Sequence, residues 1–247
     1  MFSNCPFRRR RCRVRVADTN NNTIRKITPA GVVSTFAGTA GYYGLFNGTG
    51  PQASFNGPTG LAFDAAGNLY VADSQNNAIR KITPQAVVTT LAGSGLYGST
   101  NGAGSVASFS HPYDIAVDSN GNVYVTDSGD NTIRKITPSG VVSTLAGTPS
   151  VWGGYADGVG AAAQFTYPLG ITMSSEGNIY VADCMNSTIR KITPTGTVTT
   201  VVGAAKQAGF IPGDLPGAID TPVGLVVVGP NLYMTVGEGV AEVSSFP

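Results

Sequence analysis

The sequence is poor in charge, histidine and cysteine. Charged residues make up 12% of the 247 positions, roughly half the usual share. His111 is the only histidine, which excludes a multi-histidine zinc centre. Three cysteines, Cys5, Cys12 and Cys184, give no paired disulfide framework, so they leave the compartment open. No apolar run approaches the ~18 residues a membrane helix needs, and no segment keeps a 3.6-residue apolar period. No apolar stretch follows the N-terminal arginines, so the chain as given shows no secretory signal. Localisation is accordingly expected to be secreted or cell-surface if a signal sequence is missing from this chain, and cytoplasmic otherwise.

What is plentiful points to sheets and turns. There are 33 Gly and 15 Pro, 42% of residues are hydrophobic, and mean hydropathy is +0.08. A Gly-rich, charge-poor chain that can bury a sizeable core reads as all-β. The net charge of +1 hides an asymmetry, because six of the 15 basic residues lie in the first 15 positions (Arg8, Arg9, Arg10, Arg11, Arg13 and Arg15). The other nine face all 14 acidic residues, a balance of −5. Nucleic-acid binding is not expected from so acidic a body.

Internal repetition organises the rest. IRKITP begins at Ile24, Ile79, Ile133 and Ile189, with spacings of 55, 54 and 56. Shortly before each stands a second signature, at Ala17-Asp18, Ala72-Asp73, Thr126-Asp127 and Ala182-Asp183, and a Gly-Asn pair precedes three of these. In the second copy the pattern predicts four strands, at Leu61–Phe63, Leu69–Ala72, Ala78–Thr83 and Val87–Leu91, joined by connectors rich in Gly, Asn and Pro. Four antiparallel strands per ~50 residues is the blade of a β-propeller. An Ile on each face of the third strand suits a blade buried on both sides.

The run G-L-A-x-D-x-x-G-N-L-Y-V-A-D-x-x-N-x-x-I-R-K-I, carried almost throughout by residues 60–82, resembles the NHL repeat. The resemblance covers residues 14 to about 236 and implies a propeller of about 4.5 repeats, either partial or closed as about five blades. It implies little about activity, since NHL propellers include RNA-binding, protein-binding, sensor and enzymatic members. Residues 1–13 break the pattern abruptly, so they are expected to form a separate basic segment preceding a propeller of residues 14–247.

The Arg-Lys pairs offer a basic ring or, through Asp18, Asp73, Asp127 and Asp183 one hairpin away, internal ion pairs. The latter is expected because neighbouring strand residues point to opposite faces. The Asp-x-x-Asn turns lack the Gly and Glu of a calcium loop, so they are read as structural. His111 with Tyr113, Asp114 and Asp220 forms a polar cluster expected at a channel mouth, without the partners a catalytic histidine needs. No catalytic residue, metal ligand or cofactor is assigned.

The long connectors are the most suggestive feature. Three share [ND]-G-x-G-x-x-A-x-F, beginning at Asn47, Asn101 and Asp157, and Phe55, Phe109 and Phe165 read as packing anchors. Upstream the connectors diverge and carry Tyr42, Tyr43, Phe46, Tyr97, Trp152 and Tyr155, with Phe210 in the last. These aromatics suit either a binding surface or packing over blade edges. The expected function is a non-catalytic platform for a protein, peptide or glycan ligand. The alternatives are a lyase- or gluconolactonase-like propeller enzyme with a channel metal, or the sensor domain of a receptor.

Overall fold

A computed structural model describes residues 14–205, 209, 217–237 and 239–244. The basic segment 1–13 and Phe210 lie outside the described residues. Among the described residues twenty strands form five antiparallel sheets, with five short 3-10 turns as the helical content. The first sheet holds β1 (Val14–Asp18), β2 (Thr23–Ile27) and β3 (Val33–Ala37). The second holds β4 (Gly48–Thr49), β5 (Pro58–Phe63), β6 (Leu69–Asp73), β7 (Ala78–Ile82) and β8 (Val87–Ala92). The third holds β9 (Pro112–Val117), β10 (Val123–Asp127), β11 (Thr132–Ile136) and β12 (Val142–Ala146). The fourth holds β13 (Gly158–Val159), β14 (Pro168–Met173), β15 (Ile179–Asp183), β16 (Thr188–Ile192) and β17 (Thr197–Val202). The fifth holds β18 (Pro222–Val228), β19 (Asn231–Val236) and β20 (Gly239–Val243). The chain is thus all-β, a β-propeller of five small antiparallel blades.

The strands match those expected from the repeat, with one addition. The sequence pattern gives four strands per copy, whereas the second and fourth sheets have a fifth. Gly48–Thr49 pairs with Val88–Val87 of β8, and Gly158–Val159 pairs with Val198–Thr197 of β17. The connector preceding a blade therefore returns along that blade's outermost strand and covers its edge. Two residues built around glycine are too short and too apolar-poor to register as a strand by alternation.

The described residues fall into two compact units, one within 14–122 and 136–142 and the other within 123–135 and 143–244. The first unit has a core of Ile24, Ala37, Phe55, Leu61, Leu69, Val71, Ile82 and Val88. The second has one of Tyr180, Ile189, Val202, Ile219, Leu232 and Met234. Ile79 and Ile82 are both buried on opposite faces of β7, as are Ile189 and Ile192 on β16. Such two-sided burial explains how a chain of so few charges stays folded.

Candidate functional site

The connectors are held at their base by a repeated polar clamp. Where β7 meets β8 the register shifts between Ile79 and Arg80, and β16 shifts likewise at Ile189 and Arg190 against β17. Such an irregularity re-aims a side chain. In the first unit Arg80 has no exposed surface, while the next residue, Lys81, is half-buried with its Nζ 5.5 Å from the centre of the Tyr70 ring. Arg80 and Lys81 thus split across their strand, as expected.

Arg80 Nη1 donates to Asp73 Oδ2 at 2.9 Å and to Ser54 O at 2.9 Å, and Nη2 donates to Phe46 O at 3.0 Å and Asn47 Oδ1 at 2.9 Å. Asn76 Nδ2 bridges Asp73 Oδ2 and Gly44 O, and Asp73 Oδ1 accepts Asn56 N–H at 2.7 Å. One Asp-Asn-Arg set thus binds the connector at five points: Gly44 O, Phe46 O, Asn47 Oδ1, Ser54 O and Asn56 N–H. In the second unit Asp183, Asn186 and Arg190 do the same with Gly154 O, Ala156 O, Asp157 Oδ1, Gln164 O and Thr166 N–H. Phe55 and Phe165 are buried beneath, with ring centres 5.3 and 5.1 Å from the guanidinium carbons of Arg80 and Arg190. Burial pushes the Asp73 and Asp183 carboxyls up to about 6, against the Asn and Arg donors that favour the carboxylate. The Asp-x-x-Asn motif is therefore a clamp for a connector, which its spacing alone did not reveal because the partners lie ~30 residues upstream.

Above this base the aromatics divide. Gly44 N–H and Gly98 N–H donate to the carbonyls of the anchors Phe55 and Phe109. The tips this creates leave Tyr42, Tyr43, Phe46 and Tyr97 of the first unit exposed. In the second unit Trp152 is 89% exposed, whereas Tyr155 is 39% exposed and packs locally. The Tyr155 hydroxyl lies 3.1 Å from Thr200 Oγ1, and its ring centre is 5.0 Å from the Arg190 guanidinium carbon.

The channel-mouth candidates are described within their own units. His111 is exposed and its ring meets that of Tyr97 edge-on at 5.8 Å, so it joins the connector aromatics. Tyr113 accepts Thr59 Oγ1 on its carbonyl at 2.6 Å and lines a cavity of about 130 Å³ with Ala17, Thr19 and Thr59. Asp114 is buried, with Oδ1 accepting Ile115 N–H at 2.8 Å. Asp220 belongs to the second unit, where its carbonyl accepts Gly237 N–H. Among the described residues no group of three or more His, Cys, Asp and Glu could hold a metal ion.

A feature that sequence reasoning missed is the residue before each repeated proline. Gly57, His111, Tyr167 and Thr221 have φ of +58°, +51°, +55° and +37°. The backbone N–H of Gly57, His111 and Tyr167 donates to Asn22, Asn77 and Asn131 Oδ1 at 2.8, 3.0 and 2.6 Å. The signal was present, as glycine in the second copy at a position where the later copies carry side chains.

Comparison with known proteins agrees with this architecture. The NHL repeat family profile matches residues 55–82, 109–136 and 165–192, the three copies with all four repeat strands. Protein SUPPRESSOR OF QUENCHING 1, chloroplastic, of Arabidopsis thaliana is 33% identical over 174 residues, covering 66% of this chain and 16% of that protein. NHL repeat-containing protein 2 of Bos taurus is 28% identical over 251 residues, covering 87% of this chain and 34% of that protein. Among solved structures, an auxiliary nutrient binding protein from Bacteroides thetaiotaomicron has a TM-score of 0.67 at 17% identity, covering 90% of this chain and 53% of its own. Virginiamycin B lyase from Staphylococcus aureus has a TM-score of 0.59 at 18% identity, covering 94% of this chain and 66% of its own. Both structural likenesses concern the fold.

Proposed function

We propose that this chain, which belongs to the NHL-repeat β-propellers, is a binding platform that takes a protein, peptide or glycan ligand on its inter-blade connectors. The observation that carries this reading is the contrast within two connectors, an exposed aromatic tip on a five-point clamp whose arginine is buried. Tyr42, Tyr43 and Phe46 stand on the Arg80 clamp, and Trp152 stands on the Arg190 clamp. A tip whose base is already ordered loses little entropy on binding. Exposed Tyr and Trp supply large contact area with few rotatable bonds. Fold packing uses Tyr155 and leaves Trp152 to solvent, so Trp152 is the sharper candidate of that pair.

The test is a binding screen of the purified chain against immobilised neutral glycans and synthetic peptides, followed by Trp152→Ala and the double change Tyr42→Ala with Tyr43→Ala. A ligand retained by the parent and lost at least ten-fold in these variants, at an unchanged unfolding midpoint, supports the platform. Lowered stability with unchanged binding would overturn it. Stoichiometric zinc or calcium in the purified protein would redirect the reading to a propeller enzyme.

A further inference from the structure

The connectors of the second and fourth copies differ at one position of their shared clamp. Leu45 and Tyr155 are equivalent, each following the glycine whose carbonyl the clamp Asn holds, Gly44 and Gly154. In the second unit the Tyr155 hydroxyl lies 3.1 Å from Thr200 Oγ1, which itself donates to Asp157 Oδ1 at 3.0 Å. The Arg190 guanidinium carbon has two ring contacts, with Tyr155 at 5.0 Å and Phe165 at 5.1 Å. In the first unit Thr90 Oγ1 donates to Asn47 Oδ1 at 3.3 Å, as Thr200 does to Asp157. Leu45, however, brings neither ring nor hydroxyl to Thr90, and among the described residues Arg80 has one ring contact, with Phe55.

A cavity of about 310 Å³ lies at this place, within the range of ligand pockets. Leu45, Thr90, Leu91, Ser94 and Ser105 line it together with Gly93 and Gly104, so no charged side chain does. Leu45, Thr90 and Leu91 are half-buried, leaving part of each open. The wall is already ordered, since Gly93 N–H donates to Gly104 O and Ser94 N–H to Ala107 O, both at 2.8 Å. A Cβ on Gly104 would overlap Leu91 O, so that position stays bare. A Cβ on Gly95 would stand 3.2 Å from Leu45 Cδ2, which places the neighbouring Leu96 beside the cavity. Phe46 and Leu96, adjacent to Leu45 and Gly95, are 72% and 70% exposed.

We propose that this cavity receives the tyrosyl side chain of a partner peptide, an inference that rests on the connector-platform reading and names its anchor point in the first unit. The fourth copy shows what the motif accommodates there, a hydroxyphenyl ring whose hydroxyl meets the threonine. The incoming ring lies against Leu45 and Leu91, and its hydroxyl donates to Thr90 Oγ1, whose own proton goes to Asn47. An uncharged lining suits this neutral group, since burying a charge there would go uncompensated. Phe46 and Leu96 meet the residues flanking the tyrosine, so a peptide is held by more than its ring. An aromatic anchor in an ordered pocket is the usual centre of such a contact.

The experiment titrates the full chain with acetyl-Ser-Leu-Tyr-Leu-Ser-amide, its Phe counterpart and N-acetyltyrosinamide, followed by amide chemical shifts of the isotope-labelled protein. Saturable binding of the Tyr peptide is expected, about five-fold tighter than the Phe peptide, the worth of one hydrogen bond. Thr90→Val should erase that preference. Leu45→Tyr, which installs the fourth copy's residue, should fill the cavity from within, raising the melting temperature while abolishing binding. The rise in melting temperature separates a filled pocket from a misfolded chain. No saturable binding of the Tyr peptide, or binding that survives Leu45→Tyr, would overturn the pocket. Equal affinity for N-acetyltyrosinamide would overturn the peptide partner in favour of a small phenol. Neither result decides the platform itself, which stands or falls on Trp152→Ala and on Tyr42→Ala with Tyr43→Ala.

Discussion

Arg80 and Asp73 meet at 2.9 Å with no exposed surface on either side chain, and every hydrogen bond the Arg80 guanidinium makes beyond Asp73 goes to a single connector, at Phe46, Asn47 and Ser54. The pair therefore couples blade to connector. A buried pair of this kind adds modest net stability when intact, because desolvating both charges is costly. Removing one partner leaves the other buried and unpaired, and that is where the large cost lies.

Arg80→Ala should accordingly destabilise the chain by about 3–5 kcal/mol. Arg25→Ala, at the equivalent position of the first copy, should cost at most about 1 kcal/mol because water already solvates that pair. Urea unfolding of both variants measures the contrast. Similar losses would mean that the Arg25 pair is buried in solution.

A pH dependence follows from Asp73 and Asp183. Each carboxyl is pushed up to about 6 in the folded chain by burial, from an ordinary 3.8. Folding thus favours the protonated form, so the contribution is fully present below the unfolded pKa and is lost as pH rises through about 6. The melting temperature of the parent should fall between pH 4 and pH 7 more steeply than that of Asp73→Asn. Parallel slopes would show that the Arg80 guanidinium holds the Asp73 carboxylate ionised throughout.

Equivalent glycines should not cost the same to replace. A Cβ on Gly60 would overlap the backbone of Asp114, and one on Gly170 would overlap Val223 O. A Cβ on Gly224 meets only the Thr235 side chain, at 3.2 Å. Alanine should destabilise by about 1–3 kcal/mol at Gly60 and Gly170, as overpacking does. At Gly224 the effect should stay within about 0.5 kcal/mol, as for a surface change. Chemical unfolding of the three variants tests the ranking.

His111→Gly should stabilise the chain. His111 holds φ +51° before Pro112, where the second copy uses Gly57 at φ +58°, and the left-handed region costs an L side chain roughly 1–2 kcal/mol. Loss of the edge-on contact with Tyr97 offsets part of this, so a gain of about 0.5–1 kcal/mol in unfolding free energy is expected. A decrease would mean that the His111 ring contributes more to packing than its backbone strain removes.

Much of the blade is legible in the order of residues. The Gly-Asn turns, the Ala-Asp step and the alternating Ile-Arg-Lys-Ile specify strand, hairpin and inward face through contacts a few residues apart. The Phe of [ND]-G-x-G-x-x-A-x-F is legible as an anchor for the same reason, because its offset from the following proline repeats. The clamp was less accessible. Asp73 and Arg80 sit close in sequence, but Gly44, Phe46 and Asn47 reach them only after the connector has folded back along β8. Nothing in Tyr155 and Trp152 as letters separates one that packs on Arg190 from one left in water.

The sequence by itself determined a repeated four-strand unit, its turns and the pairing of each Asp with its Arg, because these rest on short-range geometry that every copy shares. Only the tertiary structure decided what each copy meets. Arg25 and Arg80, Val33 and Val88, Gly224 and Gly60 are the same residues in the same motif, yet one of each pair is open and the other enclosed. Burial depends on which neighbouring segment lies across the residue, and that neighbour is brought there by the fold.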